Sequence, residues 1–337
     1  MTIKDIAEKS GYGVGTVSRV LNNHPNVSET ARKRILEVAE KYHFVRNTNA
    51  QLLKQQGKYI AILVKGVSNI LLNSILEIIQ KHIGETKYTS SVFVLDEYDN
   101  EAATALRIYY EKRPAGIIFL GGNPTRYKSD FNKIKVPCVL VTNQAHYLEN
   151  KKLSSVSTDD KKAAEEITDY LIKCGHKKIG VIGGDVTNSE ISERRYDGFI
   201  SAIKKNNIDF DFDKFYQTTK YSFEGGANAA EKLINKCGDE ITAIFTMSDV
   251  MAIGAMRKLK DMGYNIPKDL SIVGFDGLPL TEYVCPRLTT IHQDEKGIAE
   301  VGLKLLFDSI DDGDKSAHNL MPFELIKGES VMNINKS

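Results

Sequence analysis

From Tyr59 onward, the sequence alternates short apolar runs with longer amphipathic stretches, and this alternation restricts the fold more than any other feature. Seven short runs predict strands: Ile60–Val64, Ser91–Leu95, Gly116–Leu120, Cys138–Val141, Ile179–Ile182, Ala243–Thr246 and Ser271–Phe275. Helical spacing of apolar residues predicts helices between them: Ile70–Ile83, Glu101–Glu111, Asp160–Cys174, Arg195–Lys205, Gly225–Cys237, Val250–Met262 and Lys296–Ile310. Such strands and helices in alternation are typical of a doubly wound parallel α/β sheet. Because the alternation restarts near residue 160, we expect two similar lobes.

The first 57 residues follow a different pattern, that of three short helices. A first helix begins at Thr2 and stops at Gly11, and a second begins near Gly13. Ser28 is placed to cap a third, longer helix. Two short helices joined by a tight glycine-containing turn and braced by a third predict a helix-turn-helix domain.

Charge is distributed unevenly along the chain. Residues 1–58 hold ten Lys and Arg against five Asp and Glu, a net charge of +5, whereas residues 59–337 hold 35 against 39, a net charge of −4. A small basic head on a mildly acidic body suits a polyanion partner at one end only. The sequence has no secretory signal and no apolar stretch long enough to span a membrane, so we expect a cytoplasmic protein.

The exposed face of the second helix is predicted to meet DNA. It carries Val14, Gly15, Thr16, Ser18 and Arg19. In this motif the N-terminal residues of the second helix reach base edges in the major groove. Arg19 could bind guanine O6 and N7, and Thr16, Ser18 and the following Asn22 suit phosphates. A generic three-helix bundle with a polar surface is the alternative that the pattern leaves open.

Motifs for enzymatic chemistry are weak. Gly121-Gly122 and Gly183-Gly184 follow strands, but neither belongs to a P-loop or a dinucleotide fingerprint. Cys138, Cys174, Cys237 and Cys285 lie far apart, which predicts buried free thiols rather than a disulfide framework or a zinc site. We therefore expect no enzyme activity, no cofactor and no metal.

The head resembles the lactose-repressor/galactose-repressor (LacI/GalR) family of transcription regulators. The runs that carry this resemblance are 2–7 (TIKDIA), 16–22 (TVSRVLN), 27–28 (VS) and 30–32 (TAR). The resemblance implies binding to double-stranded operator DNA, and it adds Thr2 and Ser28 to the predicted DNA-contact residues. A ligand-responsive regulator, acting as a repressor, is the function that it implies.

Residues 47–54 (NTNAQLLK) resemble the family's hinge helix. In the family this segment enters the minor groove, where a leucine wedges between base pairs and kinks the duplex. The resemblance assigns DNA contacts to Asn49, Ala50 and Leu53, with Leu53 as the wedge. Asn49 departs from the small or β-branched apolar residue that is common there. The alternative is that Leu52 and Leu53 pack within a linker.

The resemblance extends over the body of the chain through runs such as 195–199 (RYDGF), 248–254 (SDVMAIG) and 271–276 (SIVGFD). It implies two periplasmic-binding-protein-like lobes joined by three crossovers, near 159–161, 289–292 and 318–322. The domains are then 1–46 for the helix-turn-helix, 47–57 for the hinge and 58–337 for the effector and dimerisation domain. Within that domain the N-lobe takes 58–159 and 292–318, and the C-lobe takes 161–289 and 320–337.

By position in the family pattern, Arg195 and Asp276 grip a small-molecule effector in the cleft between the lobes. An arginine fork and a carboxylate can together hold the vicinal hydroxyls of a sugar or an anionic group. Structural ion pairs or helix caps are the alternative for these residues. The remaining predicted effector contacts are Asn69, Leu72, Asp159, Tyr221 and Ser248.

The stretch 68–73 (SNILLN) replaces the aromatic run that is common in the family, so stacking of a sugar ring is lost there. Apolar residues surround helix 70–83 almost completely, which predicts a second contact face. We expect that face to form a homodimer, or a larger assembly, on a pseudo-palindromic operator. A stand-alone solute-binding protein of a transporter and an α/β enzyme with a DNA-binding head are the competing classes.

Overall fold

The computed structural model describes residues 3–21, 27–42, 59–66, 69–96, 99–127, 131–148, 150–313 and 315–336. The chain divides into two compact units, Met1–Gln56 and Gly57–Ser337. Each unit is described by itself.

The described residues of the head, 3–21 and 27–42, form three helices around one small apolar core. Its helices are α1 (Ile3–Ser10), α2 (Val14–Leu21) and α3 (Glu29–Lys41). Ile6, Val17 and Ile35, one from each helix, are fully buried against one another. Gly11 has φ of +78° and turns the chain between α1 and α2, a conformation that favours glycine.

The N-lobe is a six-stranded parallel sheet in the order β11-β5-β4-β3-β1-β2. Its strands are β1 (Tyr59–Lys65), β2 (Thr89–Leu95), β3 (Gly116–Leu120), β4 (Cys138–Val141), β5 (Leu153–Thr158) and β11 (His318–Met321). Alternate residues of β1 enter different cores: Ile60 and Ile62 pack with α4 (Ile70–Gly84) and α11 (Glu295–Asp312), and Ala61 and Leu63 pack with α5 (Glu101–Lys112). Both faces of the sheet are therefore covered, as an apolar strand requires.

The C-lobe repeats this plan with a four-stranded parallel sheet in the order β7-β6-β8-β9. Its strands are β6 (Ile179–Gly183), β7 (Tyr216–Thr218), β8 (Ala243–Thr246) and β9 (Ser271–Val273). Its helices are α6 (Asp160–Lys173), α7 (Glu190–Lys205), α8 (Phe212–Phe215), α9 (Phe223–Cys237) and α10 (Asp249–Asp261). The helices α6 and α7 cover one face and α9 and α10 the other. The predicted two-lobed doubly wound fold is confirmed.

The chain passes between the lobes three times, at Asp159, at Asp294 and at Pro322. An antiparallel pair, β10 (Thr290–Gln293) with β12 (Phe323–Ile326), runs beside these crossings. Two crossings require corrections to the sequence analysis. It restarted the N-lobe at 292, but His292 and Gln293 belong to β10, which pairs with β12 and bridges Asp276 of the C-lobe. It also ended the N-lobe segment at 318 and began the C-lobe segment at 320. Strand β11 pairs with β5 through His318–Met321, so those residues belong to the N-lobe sheet.

All four cysteines carry free thiols, as the sequence predicted, but Cys285 is exposed and not buried. It lies two residues after Tyr283, which is also exposed. Within the described ranges, no helix is long and apolar enough to cross a lipid bilayer.

The close contact between α9 and α10 depends on glycine. A Cβ atom at Gly254 would overlap the backbone carbonyl of Phe223, which cannot move without shifting α9. We expect Gly254→Ala to lower the free energy of unfolding by roughly 1–3 kcal/mol through overpacking. Gly84→Ala is the matched control, because no atom lies within 4 Å of a Cβ there and its φ is compatible with alanine. Urea unfolding of both variants is the measurement, and equal stability of the two would contradict the prediction.

Candidate functional site

The first candidate site is the outer face of α2 in the head. Val14 is 43% exposed, Gly15 and Arg19 are exposed, and Thr16 and Ser18 are half-buried, while Val17 and Val20 of the same helix are buried in the core. The helix therefore presents its predicted DNA-contact residues outward. Ser28 is exposed and caps α3, where its Oγ accepts a hydrogen bond from the amide of Ala31 at 3.4 Å. The other predicted contacts lie outside the described residues: Thr2, Asn22, Asn49, Ala50 and Leu53.

The second candidate site is a cavity of about 980 Å³ between the two lobes of the body. Its walls stand at the carboxyl ends of the parallel strands, where Lys65 ends β1, Gly121 follows β3 and Thr142 follows β4. Five of the seven predicted effector contacts line it: Asn69, Leu72, Arg195, Tyr221 and Asp276. Asp159 and Ser248 are not among the described lining residues.

Asp159 and Ser248 act as helix caps in this structure. Asp159 Oδ1 accepts the amide of Lys162 at 3.1 Å, and Ser248 Oγ accepts the amide of Met251 at 3.3 Å. Each side chain thereby satisfies an orphan N–H in the first turn of its helix. A direct contact of either residue with the effector stays an untested prediction.

Arg195 is the central charged group of the C-lobe wall and is only 3% exposed. Its Nε donates to Asp160 Oδ1 at 2.8 Å, and its Nη1 donates to the carbonyl of Met247 and lies 3.5 Å from Asp276 Oδ1. The guanidinium also lies over the ring of Phe275, 3.7 Å from the centroid. These contacts hold the fork in a single orientation at the floor of the cavity.

Asp276 faces the cavity from the end of the β9 segment. Its Oδ1 accepts the side-chain amide of Gln293 at 2.8 Å. Burial raises the pKa of Asp276 to about 8, against the opposing effect of Arg195. Burial likewise raises the pKa of the neighbouring Asp249 to about 6 and raises that of Asp160. Asp160 and Asp276 thus share one guanidinium, whereas Asp249 is bonded to the hydroxyl of Thr290 and the amide of Leu278, and the site holds a proton near neutral pH.

Among the described residues, two hydrogen bonds join the lobes across the cleft, and sequence reasoning missed both. The side chain of Asn123 donates to the carbonyl of Asn188 at 2.9 Å, and the Tyr147 hydroxyl donates to Glu190 Oε2 at 3.2 Å. Burial raises the pKa of Glu190. Apart from their place in polar segments that follow strands, these residues have no distinguishing pattern in the sequence. On the C-lobe side, the Tyr221 hydroxyl forms a 2.9 Å hydrogen bond with Ser192.

The N-lobe wall contains polar groups that sequence reasoning also missed. Lys65 Nζ donates to Glu101 Oε2 at 2.8 Å in a buried ion pair. Thr142 Oγ1 and Asn143 Oδ1 are buried and have no hydrogen-bond partner among the residues that the structure describes. Asn69 caps α4 by accepting the amide of Leu72 at 3.2 Å, so its oxygen already has a partner. The sequence feature that could have identified these groups is the occurrence of polar residues directly after the apolar runs of β1 and β4.

The raised pKa of Asp276 predicts how stability depends on pH. The folded state retains a proton between the ordinary value of 3.8 and about 8, where the unfolded state has released it, so stability falls as pH rises through this window. Between pH 6 and pH 8 the free energy of unfolding of the wild type decreases, and we expect Asp276→Asn to make that decrease smaller by roughly 1–2 kcal/mol.

Thermal or urea unfolding at several pH values measures this effect. Asp185→Asn is the control, because hydrogen bonds from Asn188 and Thr187 lower the pKa of that exposed carboxyl to about 2, outside the window. An Asp276→Asn profile with the wild-type slope would refute the assignment.

Comparison with known proteins is consistent with both candidate sites. Residues 2–47 match the model for bacterial regulatory proteins of the lacI family, and residues 168–331 match that for a periplasmic binding protein-like domain. A transcription regulator of Clostridium butyricum, HTH-type MalR, is 39% identical over 99% of this chain and 100% of its own length.

Two solved structures share the fold over almost the whole chain. A CelR–cellobiose complex superposes with a TM-score of 0.73 at 20% identity, covering 98% of this chain and 99% of that one. A lac repressor dimer bound to operator and the anti-inducer ONPF superposes with a TM-score of 0.72 at 22% identity, with the same coverage. The head match separates this chain from stand-alone solute-binding proteins. With a relative 39% identical along its full length, the chain belongs to the LacI family of DNA-binding transcription regulators.

Proposed function

We propose that this protein is a repressor that binds a pseudo-palindromic operator as a homodimer and is controlled by a sugar in the cleft between its lobes. The observation that carries the proposal is the buried Arg195–Asp276 pair in the wall of the inter-lobe cavity. A regulator needs a switchable site, and this cavity offers fixed hydrogen-bonding groups from both lobes at once.

The polar lining supports a hydroxyl-rich effector. A carboxyl such as Asp276 accepts from sugar hydroxyls, and a guanidinium such as Arg195 donates to their oxygens. The CelR–cellobiose complex, which has the same fold, supports the same class of ligand. The cavity of about 980 Å³ is large enough for a mono- or disaccharide with bound water.

Control of DNA binding would act through the relative position of the lobes. A ligand that contacts both walls favours the closed arrangement of the lobes. The hydrogen bonds Asn123–Asn188 and Tyr147–Glu190 join the lobes in the same arrangement. The sugar's differential affinity for that arrangement becomes a change in DNA affinity, typically about 1–3 kcal/mol. In this proposal the hinge at 47–57 transmits the change, with Leu53 wedged in the minor groove.

The experiment has two stages. Selection from a pool of random duplexes identifies a site bound by the full chain, and fluorescence anisotropy then measures its affinity with and without members of a sugar panel. Recovery of a palindromic site, and a sugar that changes its affinity, are the expected results. Binding that is independent of sequence, or unaffected by every sugar, would contradict the proposal.

Arg19 is proposed to read a base in each half-site because it is exposed on the outer face of α2. We expect Arg19→Ala to weaken binding to the selected site by roughly 1–3 kcal/mol and to relax preference at one base position per half-site. Arg34→Ala is the control, since it removes an equal charge from an exposed position on α3. Equal losses for the two variants, on selected and random DNA alike, would reduce Arg19 to a general electrostatic contact.

The proposed dimer contact includes the free edge of the N-lobe sheet. The buried apolar residues of α4 pack into their own lobe core, and only Ile70, Leu76 and Ile78 are partly exposed. Beside them in the N-lobe, edge strand β2 exposes Val94 by 55%, and an unpaired apolar strand edge invites pairing with a second chain.

We expect Val94→Lys to raise the dimer dissociation constant by roughly tenfold or more, because a two-fold interface meets the added charge twice. Leu320→Lys is the matched control: Leu320 is 56% exposed on β11, the opposite edge of the same sheet. Analytical ultracentrifugation of the full chain measures both. A monomeric wild type would eliminate the dimer, and a larger effect of Leu320→Lys would move the contact to the other edge.

A further inference from the structure

Lys65 is a buried cation whose hydrogen-bonding capacity is only partly used. It ends β1, lines the cavity and is 9% exposed. Its ammonium donates to Glu101 Oε2, and no other partner for it is found within the described parts of the chain. An ammonium carries three N–H donors, so two remain for a group inside the cavity.

Glu101 fixes the position of Lys65 and neutralises its charge. The carboxylate is 1% exposed, and its second oxygen, Oε1, accepts the amide of Asn123. With both oxygens bonded, the carboxylate has no freedom to rotate away. Lys65 therefore offers donors at a defined place without offering an uncompensated positive charge.

Two acceptors lie at the end of β4 in the same wall. Thr142 Oγ1 and Asn143 Oδ1 are buried without a partner in the described part of the chain, and both residues line the cavity. Thr142 has φ of +81°, a conformation that a β-branched residue rarely adopts. A buried polar atom without a partner is unfavourable. Both oxygens are closed off from the cavity as their side chains stand, so a ligand hydroxyl would satisfy them once the side chains turn toward the cavity. Only β3 separates β1 from β4 in the sheet, so these groups belong to one surface.

The charges around the cavity disfavour an anionic ligand. Lys65 is compensated by Glu101, and Arg195 is compensated by Asp160, to which its Nε donates at 2.8 Å. Among the described exposed residues lining the cavity, the carboxylates Asp96, Asp99 and Asp185 outnumber Lys220. A phosphate would have to approach these carboxylates and would find no surplus cation inside.

We propose that Lys65, positioned by Glu101, forms with Thr142 and Asn143 a hydrogen-bonding wall that selects an uncharged sugar and excludes sugar phosphates. This inference rests on the proposed function, in which the cleft binds a sugar. The C-lobe grips the ligand through Arg195 and Asp276, and the wall on the N-lobe recognises its opposite side. Closure then requires hydroxyls on both sides of the ligand.

The first test measures thermal shift and calorimetric affinity of the full chain with matched pairs. The pairs are ribose and ribose 5-phosphate, glucose and glucose 6-phosphate, and trehalose and trehalose 6-phosphate, with cellobiose and maltose as further neutral probes. We expect a neutral sugar to bind at least tenfold more tightly than any phosphate. Tighter binding of a phosphate overturns this inference and leaves the proposed function standing. Failure of every probe overturns the proposed function itself.

The second test uses variants with the neutral sugar that binds best. Thr142→Val keeps the shape and removes the unpartnered hydroxyl, so we expect at least tenfold weaker sugar binding with no loss of melting temperature in the absence of sugar. The double variant Lys65→Met/Glu101→Gln removes both charges together and should weaken binding at least tenfold. Ser157→Ala is the control, because it removes a buried unpartnered hydroxyl that does not line the cavity and should leave affinity unchanged.

Unchanged affinity in Thr142→Val and in the double variant would remove the wall from the binding site. A drop in the melting temperature of sugar-free Thr142→Val would assign that hydroxyl a structural role and would also overturn the inference for Thr142.

Discussion

The body of this protein depends on one buried guanidinium. Arg195 on α7 reaches Asp160 at the start of α6, the carbonyl of Met247 after β8 and Asp276 after β9. Removing a charge from water is costly unless its partners are well placed, so these elements must keep their relative positions for Arg195 to remain buried. The interaction therefore sets both the geometry of the C-lobe and the floor of the cleft.

The same network continues into the crossings between the lobes. Asp276 accepts the side-chain amide of Gln293, and Gln293 accepts the hydroxyl of Thr158 at 2.7 Å. Thr158 ends the strand before the first crossing, and Gln293 ends the strand before the second. A ligand that changes the bonding of Asp276 thus acts on the segments about which the lobes would move. In the proposed function, these hydrogen bonds would connect a ligand in the cleft with the N-lobe.

The two walls of the cleft differ in how their buried charges are balanced. On the C-lobe side, burial raises the pKa of Asp276 despite the neighbouring Arg195, so the site holds a proton. On the N-lobe side, Lys65 and Glu101 form a neutral pair, and the side-chain oxygens of Thr142 and Asn143 have no partner within the described ranges. Neither wall presents a surplus positive charge, and both present hydrogen-bonding groups. The head, in contrast, concentrates positive charge and exposes Arg19 on α2.

The sequence by itself determined the parts of the fold that local patterns encode. Three predicted strands coincide with observed ones because continuous apolar runs must be buried: Gly116–Leu120, Cys138–Val141 and Ala243–Thr246. Arg195 and Asp276 could be assigned to the cleft because they lie within family runs. Strand Leu153–Thr158 was missed, since its Ser and Thr residues resemble a loop until tertiary partners such as His318, 2.9 Å from Ser155, satisfy them.

Only the tertiary structure decided the remaining features of the site. The pairing of Lys65 with Glu101 spans 36 residues, and the pairing of Gln293 with Asp276 joins two segments at a crossing. No local period records such contacts, because they arise when strand ends from distant parts of the chain meet at one edge of a sheet. The sequence could not show that Asp159 and Ser248 cap helices. A family pattern identifies a position but does not distinguish a helix cap from a ligand contact.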